Sequence, residues 1–122
     1  MKIYIAGAIT NNPFYKEQFA EAEKTLTAQG HQVINPAKNP GTSYKDYIDT
    51  GLFELMKCDA IFLLDGWEKS DGANLEYVYA VTTGMDIYVS KDQFLKLNNE
   101  MKRRIKRHHE SVSGLRGKSN SL

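Results

Sequence analysis

Four short apolar runs recur along the chain, separated by longer polar stretches. They lie at about residues 2–6, 31–34, 59–64 and 86–89, and in the first and third runs the apolar residues are consecutive. Strands that are apolar on both faces are typical of parallel sheets that helices cover on both sides. The pattern therefore predicts four buried parallel strands.

Apolar residues at helical spacing fill the intervals between these runs. A stripe with steps of three and four residues is typical of a helix that buries one face. The stripes are formed by Phe19, Ala22 and Leu26, by Tyr44, Tyr47, Ile48, Leu52 and Leu55, and by Leu75, Val78 and Tyr79. Gly30 and Gly84 follow the first and third stripes. They are predicted helix stops, because glycine readily adopts the left-handed conformation that ends a helix.

The strict alternation of strands and helices predicts the fold class. Right-handed crossovers place helices on both faces of a parallel sheet. We expect a flavodoxin-like (Rossmann-type) three-layer α/β/α domain with a four- to five-stranded sheet in the order 2-1-3-4. A last helix is predicted at about 92–109, so the domain spans 1–109. Residues 110–122 are rich in Ser, Gly, Lys and Arg, which predicts a basic, disordered tail.

The composition indicates the cellular compartment of the protein. No apolar run approaches the roughly 18 residues of a membrane span, and the N-terminus lacks the layout of a secretory signal. A single cysteine, Cys58, excludes an internal disulfide and fits a reducing compartment. We therefore expect a cytoplasmic protein that does not contact membranes. The histidines and the cysteine show no metal-ligand spacing, and neither a metal nor an organic cofactor is predicted.

The formal net charge of +1 is the sum of an acidic segment and a shorter basic segment. Residues 1–90 carry 7 Lys or Arg against 12 Asp or Glu, whereas residues 91–122 carry 9 against 3. The basic helix at 102–107 could contact nucleic acid, or it could be a solvated helix face. We favour the solvated face, because aromatic residues that would stack on bases are scarce in this region.

The predicted topology fixes where a ligand would bind. In open α/β sheets ligands bind beyond the carboxyl ends of the strands, where the strand order reverses, which here lies between strands one and three. The loops at this edge are residues 7–12, 35–37 and 65–72. Glycine at 72 and free N–H groups at the start of the third helix suit an anion, and Glu76 lies one turn further on.

Each of these features also has a purely structural interpretation. Gly7 could only permit a tight turn, and Ser70 or Asp71 could only cap the third helix. Trp67 could cover the core rather than a base, and Glu76 could be a solvated surface residue. The case for a site rests on their convergence at one edge of the sheet.

Three segments resemble a known group of proteins. They are residues 3–9 (IYIAGAI), 33–37 (VINPA) and 58–76 (CDAIFLLDGWEKSDGANLE), of which the third is the most specific. They are similar to the nucleoside 2-deoxyribosyltransferase-like superfamily, and most of all to a group of phage and bacterial proteins known as DUF4406. The resemblance covers about residues 1–90. It implies a flavodoxin-like fold, a homodimer or larger homo-oligomer, and cleavage or exchange of N-glycosidic bonds.

The resemblance also implies roles for single residues. Glu76 matches the glutamate that attacks the anomeric carbon, and Tyr4 matches a tyrosine beside it. Ser70 stands where the monophosphate hydrolases have a serine for the 5′-phosphate and where transferases tend to have an aspartate. The substrate-binding residues are then expected to be Gly7, Ala8, Ile9, Ser70 and Gly72 around sugar or phosphate, with Asn35 and Trp67 on the base side.

Three positions depart from the pattern of these relatives. The relatives carry a second acid in the second helix, eight residues before the aspartate that opens strand three, and this position holds Gly51. Either the helix is shifted and Asp49 serves as the catalytic acid, or the acid is missing. The first loop has Ala8 and Thr10 where the phosphate hydrolases use a serine and an arginine. Lys38 or Lys69 could replace the missing cation.

Two functions of different classes follow. The first is cleavage of the glycosidic bond, or deoxyribosyl transfer, on a nucleoside or nucleoside 5′-monophosphate through a glutamate nucleophile. The alternative, motivated by Gly51, is a non-catalytic nucleotide-binding protein that senses or sequesters its ligand. An accessory role on nucleic acid through the basic helix is a third, weaker hypothesis.

Overall fold

Strands and helices alternate along the whole described part of the chain. The computed structural model describes residues 1–38 and 41–90. Its elements are the strands β1 (Lys2–Ala6), β2 (Gln32–Ile34), β3 (Ala60–Leu63) and β4 (Asp86–Val89) and the helices α1 (Tyr15–Ala28), α2 (Tyr44–Leu55) and α3 (Asp71–Thr83). Short 3₁₀ turns at Pro36–Lys38 and Trp67–Lys69 follow β2 and β3. The predicted helix at 92–109 and the predicted tail at 110–122 lie outside the described residues.

The sheet has the predicted order. Four parallel strands are arranged β2-β1-β3-β4, so the order reverses between β1 and β3. Tyr4 of β1 lies opposite both Ile34 and Ile61, and Ala6 lies opposite Leu63. The carboxyl ends of β1 and β3 are therefore neighbours, which places the loops that follow them side by side.

Alternating residues of β1 serve two separate cores. Ile3 and Ile5 pack with Phe19 of α1 on one face of the sheet. Tyr4 and Ala6 point to the other face, where α2 and α3 cover the sheet. This alternation is the ordinary consequence of the two-residue period of a strand. It carries the Tyr4 hydroxyl into the layer between the sheet and these two helices.

Helix α3 buries a different face from the one that the apolar stripe predicts. Leu75 and Val78 are 46% and 56% exposed. The buried face consists instead of Gly72, Ala73, Glu76 and Ala80. Small residues let the helix lie close to the sheet, and apolar residues on both sides of the helix conceal which side is inward. The predicted inward stripe on α3 is therefore wrong.

Both ends of α3 follow the capping signals in the sequence. Ser70 begins α3, and its Oγ accepts a hydrogen bond from the Ala73 N–H at 3.1 Å. Of the two predicted caps, Ser70 and Asp71, the serine is the one used. Gly84 ends α3 with a φ of 76°, which confirms the predicted stop. None of the helices in the described part of the chain is long and apolar enough to cross a membrane.

Candidate active site

A buried tyrosine–glutamate pair joins the sheet to α3. The Tyr4 hydroxyl donates a hydrogen bond to Oε2 of Glu76 over 2.5 Å. Tyr4 is fully buried and Glu76 is only 8% exposed. The interpretation of Glu76 as a solvated surface residue is therefore wrong, and the structure brings together the two residues that the resemblance paired.

Burial changes the acidity of both groups. It raises the pKa of Glu76 to about 7, and the hydrogen bond from Tyr4 partly opposes this shift. The pKa of Tyr4 is raised far above its usual range, first by burial and then by the charge of Glu76. Near neutral pH, Glu76 thus exchanges readily between acid and carboxylate, whereas Tyr4 remains a hydrogen-bond donor.

Position 51 on α2 faces this pair directly. A Cβ atom added to Gly51 would lie 2.7 Å from the Tyr4 Oη and 2.8 Å from the Glu76 Oε2. These distances are too short for any side chain unless the pair moves. Position 51, which lies eight residues before Asp59, is therefore at the site as the resemblance implies. In this chain position 51 carries no acid.

The structure does not bring Asp49 to the pair. Its side chain is 57% exposed and forms an ion pair with Lys45 over 2.5 Å. Asp49 precedes Gly51 by two residues, and about 100° per residue turns it to a different side of the helix. The helix is thus not shifted in the way that would make Asp49 the catalytic acid.

A cavity opens at the carboxyl edge of the sheet, where the loops after β1 and β3 meet the start of α2. It encloses about 730 Å³, and Gly7, Ile9, Ser70 and Gly72 are among the residues that line it. Four of the predicted substrate-binding residues thus share one cavity. Lys69 also lines it and supplies a positive charge.

A second, smaller cavity of about 310 Å³ lies beside β2. Asn35 and Gly51 are among its lining residues, as is Lys38. The Asn35 amide donates to Glu23 at 3.0 Å, and its oxygen accepts from the Ala37 N–H at 3.0 Å. Asn35 therefore lines a cavity as predicted, but these two hydrogen bonds already hold its side chain.

Trp67 belongs to the apolar core, and its predicted place on the base side of a site remains a prediction. It is 6% exposed and packs in the apolar cluster between the sheet and the helices α2 and α3. Its ring lies 4.8 Å from the ring of Tyr77 at an angle of 41°. Within the described residues its indole N–H has no hydrogen-bond partner. Trp67 thus covers the core, as its structural interpretation predicts.

Ala8 has a local structural role in the loop after β1. Its carbonyl accepts a hydrogen bond from the Asn12 side chain at 2.9 Å. The Asn12 amide also donates to Gln18 at 2.9 Å, and Gln18 in turn donates to the carbonyl of Asp65 at 3.0 Å. This chain of hydrogen bonds ties the loop after β1 to the loop after β3 and fixes one wall of the larger cavity.

Sequence reasoning missed Tyr47 and Ile48 as site residues. Both line the larger cavity, and Tyr47 also lines the smaller one. A Cβ on Gly72 would lie 2.8 Å from Cδ1 of Ile48, so α2 packs tightly on the first turn of α3. The one available signal was that Tyr47 lies one helical turn before Gly51.

The described residues contain no group of three or more His, Cys, Asp or Glu side chains that could hold a metal ion. The reactive groups at this edge of the sheet include the buried carboxyl of Glu76, the hydroxyls of Tyr4 and Tyr47, and the side chains of Lys69, Ser70 and Asp71. The fold and the site together define a flavodoxin-like α/β protein with a buried carboxyl group at the switch point of its sheet.

The chain belongs to a family described as a domain of unknown function (DUF4406), whose model matches residues 1–89. No curated protein matches the chain. A 2-deoxyribosyltransferase from the psychrotolerant bacterium Bacillus psychrosaccharolyticus has a similar structure. Its TM-score is 0.60 at 22% identity, over 73% of this chain and 71% of that chain.

The structure of the CMP N-glycosidase BcmB from Clostridium botulinum is also similar. Its TM-score is 0.58 at 18% identity, over 84% of this chain and 81% of that chain. The two similar structures confirm the predicted flavodoxin-like fold, and the family model confirms the predicted membership of DUF4406.

Proposed function

We propose that this protein cleaves or transfers the N-glycosidic bond of a nucleoside or nucleoside 5′-monophosphate. The observation that carries the proposal is the buried Tyr4–Glu76 hydrogen bond at the edge of the sheet where the strand order reverses. A carboxyl group is costly to bury, so a glutamate buried against Gly51, which lines the smaller cavity, favours a role in chemistry. The similarity to a 2-deoxyribosyltransferase and to a CMP N-glycosidase supports the reaction class.

Glu76 acts as the nucleophile in this scheme. Tyr4 holds Oε2, so Oε1 is the oxygen that bonds to the anomeric carbon as the bond from that carbon to the base breaks. The base leaves with the bonding electron pair and takes a proton from water. In hydrolysis the resulting hydroxide attacks the anomeric carbon and releases the carboxylate; in transfer the nitrogen of a second base does so and loses its proton.

The start of α3 is the proposed site for the sugar or its phosphate. Ser70, Gly72 and Lys69 lie together along the larger cavity. The unpaired N–H groups of a helix start attract an anion, and a lysine adds to that attraction. A 5′-monophosphate is therefore the substrate form that this end of the cavity suits best.

Glu76→Gln tests the assignment of the nucleophile. The wild-type protein is incubated with a panel of nucleosides and their 5′-monophosphates, and free base is measured by chromatography. We expect Glu76→Gln and Glu76→Ala to abolish release of the base. Glu21→Gln, which changes an exposed glutamate on helix α1 at the other face of the sheet, is the matched control and should keep full activity. Turnover that survives loss of the Glu76 carboxylate would overturn the proposal.

Gly51 favours one alternative, a nucleotide-binding protein without turnover. Gly51 occupies the position from which α2 would offer an acid to the leaving base, and it has no side chain. Under this alternative, titration calorimetry would show tight binding of a nucleotide, no base would be released, and Glu76→Gln would leave the affinity unchanged. The same panel of ligands distinguishes the two functions.

A further inference from the structure

Tyr47 lies on α2 one turn before Gly51, and it lines the larger cavity. Helix α2 starts at the carboxyl edge of the sheet, because it leads from the end of β2 back to the start of β3. Tyr47 lies one turn nearer this edge than Gly51, and four residues of helix return a side chain to nearly the same face. Gly51 lies against the Tyr4–Glu76 pair. Tyr47 therefore projects from the same face of α2, closer to the ligand entrance.

Tyr47 is shared by the two cavities. It is half-buried and is a lining residue of both. A ligand that occupies both cavities would therefore lie against Tyr47 in each of them. The hydroxyl also lies within the electrostatic reach of Glu76, whose charge adds to the effect of burial in raising the Tyr47 pKa. The hydroxyl thus stays protonated and able to donate a hydrogen bond at neutral pH.

We propose that Tyr47 contacts the substrate and donates a hydrogen bond to the leaving base beside Glu76, from a helix that offers no acid at position 51. This inference rests on the proposed function and adds the group that stabilises the departing base. Charge builds on that base as its bond to the sugar breaks, so a fixed donor acts mainly in the transition state. Its removal should lower kcat and leave KM nearly unchanged.

The test compares two leaving groups. Tyr47→Phe removes only the hydroxyl, and we expect kcat for a nucleobase substrate to fall by roughly 100-fold. A 4-nitrophenyl 2-deoxyriboside, or its 5′-phosphate, releases a stable anion that needs no donor, so Tyr47→Phe should cleave it at nearly the wild-type rate. Glu76→Gln should lose both activities. Tyr88→Phe, which removes the hydroxyl of a half-buried tyrosine on the opposite face of the sheet, should lose neither.

Each result has one meaning. A selective loss with the nucleobase substrate supports the role of Tyr47, and thermal unfolding of Tyr47→Phe checks that the variant is folded. An equal loss with both substrates, or no loss with either, overturns this role while the proposed function stands. If the wild-type protein releases neither base nor nitrophenolate, the proposed function is wrong and the role of Tyr47 is wrong with it.

Discussion

Tyr4 donates its hydrogen bond to a carboxyl group that burial alone would hold largely neutral at pH 7. The bond lowers the pKa of Glu76, while the burial that raises it is the larger effect. In the proposed reaction Glu76 is the nucleophile and must be ionised to attack, so the Tyr4 hydroxyl raises its reactive fraction at neutral pH. Tyr4 is a positioning residue that also tunes the charge of its partner.

Tyr4→Phe should therefore move the pH dependence of the reaction. Without the hydroxyl the pKa of Glu76 rises above about 7, so the acidic limb of the kcat/KM profile shifts to higher pH. Activity should fall at pH 7 and recover in part at higher pH. Measured profiles of the wild type and of Tyr88→Phe give the reference. An unchanged midpoint in Tyr4→Phe would show that the hydroxyl does not control Glu76.

Gly51→Ala tests the close approach of α2 to the pair. Alanine in a helix interior is usually more stable than glycine by about 1 kcal/mol. Here the new methyl group would meet Tyr4 Oη and Glu76 Oε2, and overpacking of this kind costs about 1–3 kcal/mol. We expect the usual gain to disappear or reverse in urea unfolding. A clear increase in stability would mean that the pair does not lie against α2.

At the scale of elements, the start of α3 combines two tasks in one side chain. Ser70 caps the helix and lines the larger cavity. Aspartate is as good a cap as serine, whereas alanine costs about 1 kcal/mol at such a position. A substitution can therefore remove the proposed phosphate contact while the helix keeps its cap.

Ser70→Asp and Ser70→Ala separate the two tasks. Ser70→Asp should keep the melting temperature but weaken binding of a 5′-monophosphate at least 10-fold, because the new carboxylate repels the phosphate. Binding of the matching free nucleoside should change little. Ser70→Ala should lower stability instead. Calorimetric titration with both ligands measures these affinities. An unaltered affinity of Ser70→Asp for the monophosphate would show that the phosphate does not bind at this end of the cavity.

The elements also show how far the sequence alone leads. Consecutive apolar residues in β1 and β3 and glycine at 84 were enough to predict the sheet, its order and a helix end. The inward face of α3 was not predictable in this way, because its buried positions are small residues and a glutamate. Likewise, a loop position does not reveal whether Trp67 faces the core or a ligand. The apolar pattern of α2 does not show which side of the helix meets Glu76; only the count back from Asp59, which the resemblance supplied, pointed to Gly51.

At the scale of the whole molecule, the buried Glu76 makes stability depend on pH. The pKa of Glu76 is about 7 in the folded protein and near 4.5 in an unfolded chain. The folded state therefore holds this proton more tightly. The resulting stabilisation is fully present below about pH 4.5 and is lost as the pH rises through about 7, a total of roughly 3 kcal/mol.

Glu76→Gln isolates this contribution from the other titrating groups. The variant keeps a neutral side chain of similar shape, so its free energy of unfolding should exceed that of the wild type at pH 8 and approach it near pH 4. The gap should grow by roughly 3 kcal/mol between these pH values. Urea unfolding of both proteins at several pH values gives the difference. A gap that stays constant would show that the Glu76 carboxyl is not held in apolar surroundings.

The assembly implied by the resemblance, a homodimer or larger homo-oligomer, remains a prediction at this scale. The outward-facing Leu75 and Val78 on α3 are apolar side chains that water now contacts. Light scattering on the purified protein measures the oligomeric state directly.

The burial of Trp67 also gives the molecule an intrinsic optical probe. It is the single tryptophan of the chain, lies in an apolar layer against Tyr77, and precedes Ser70 by three residues. An indole in such surroundings fluoresces at shorter wavelength than one in water. Its emission will therefore report loss of the folded state, and the proposed binding of a nucleotide at the start of α3 should change the same signal without any attached dye.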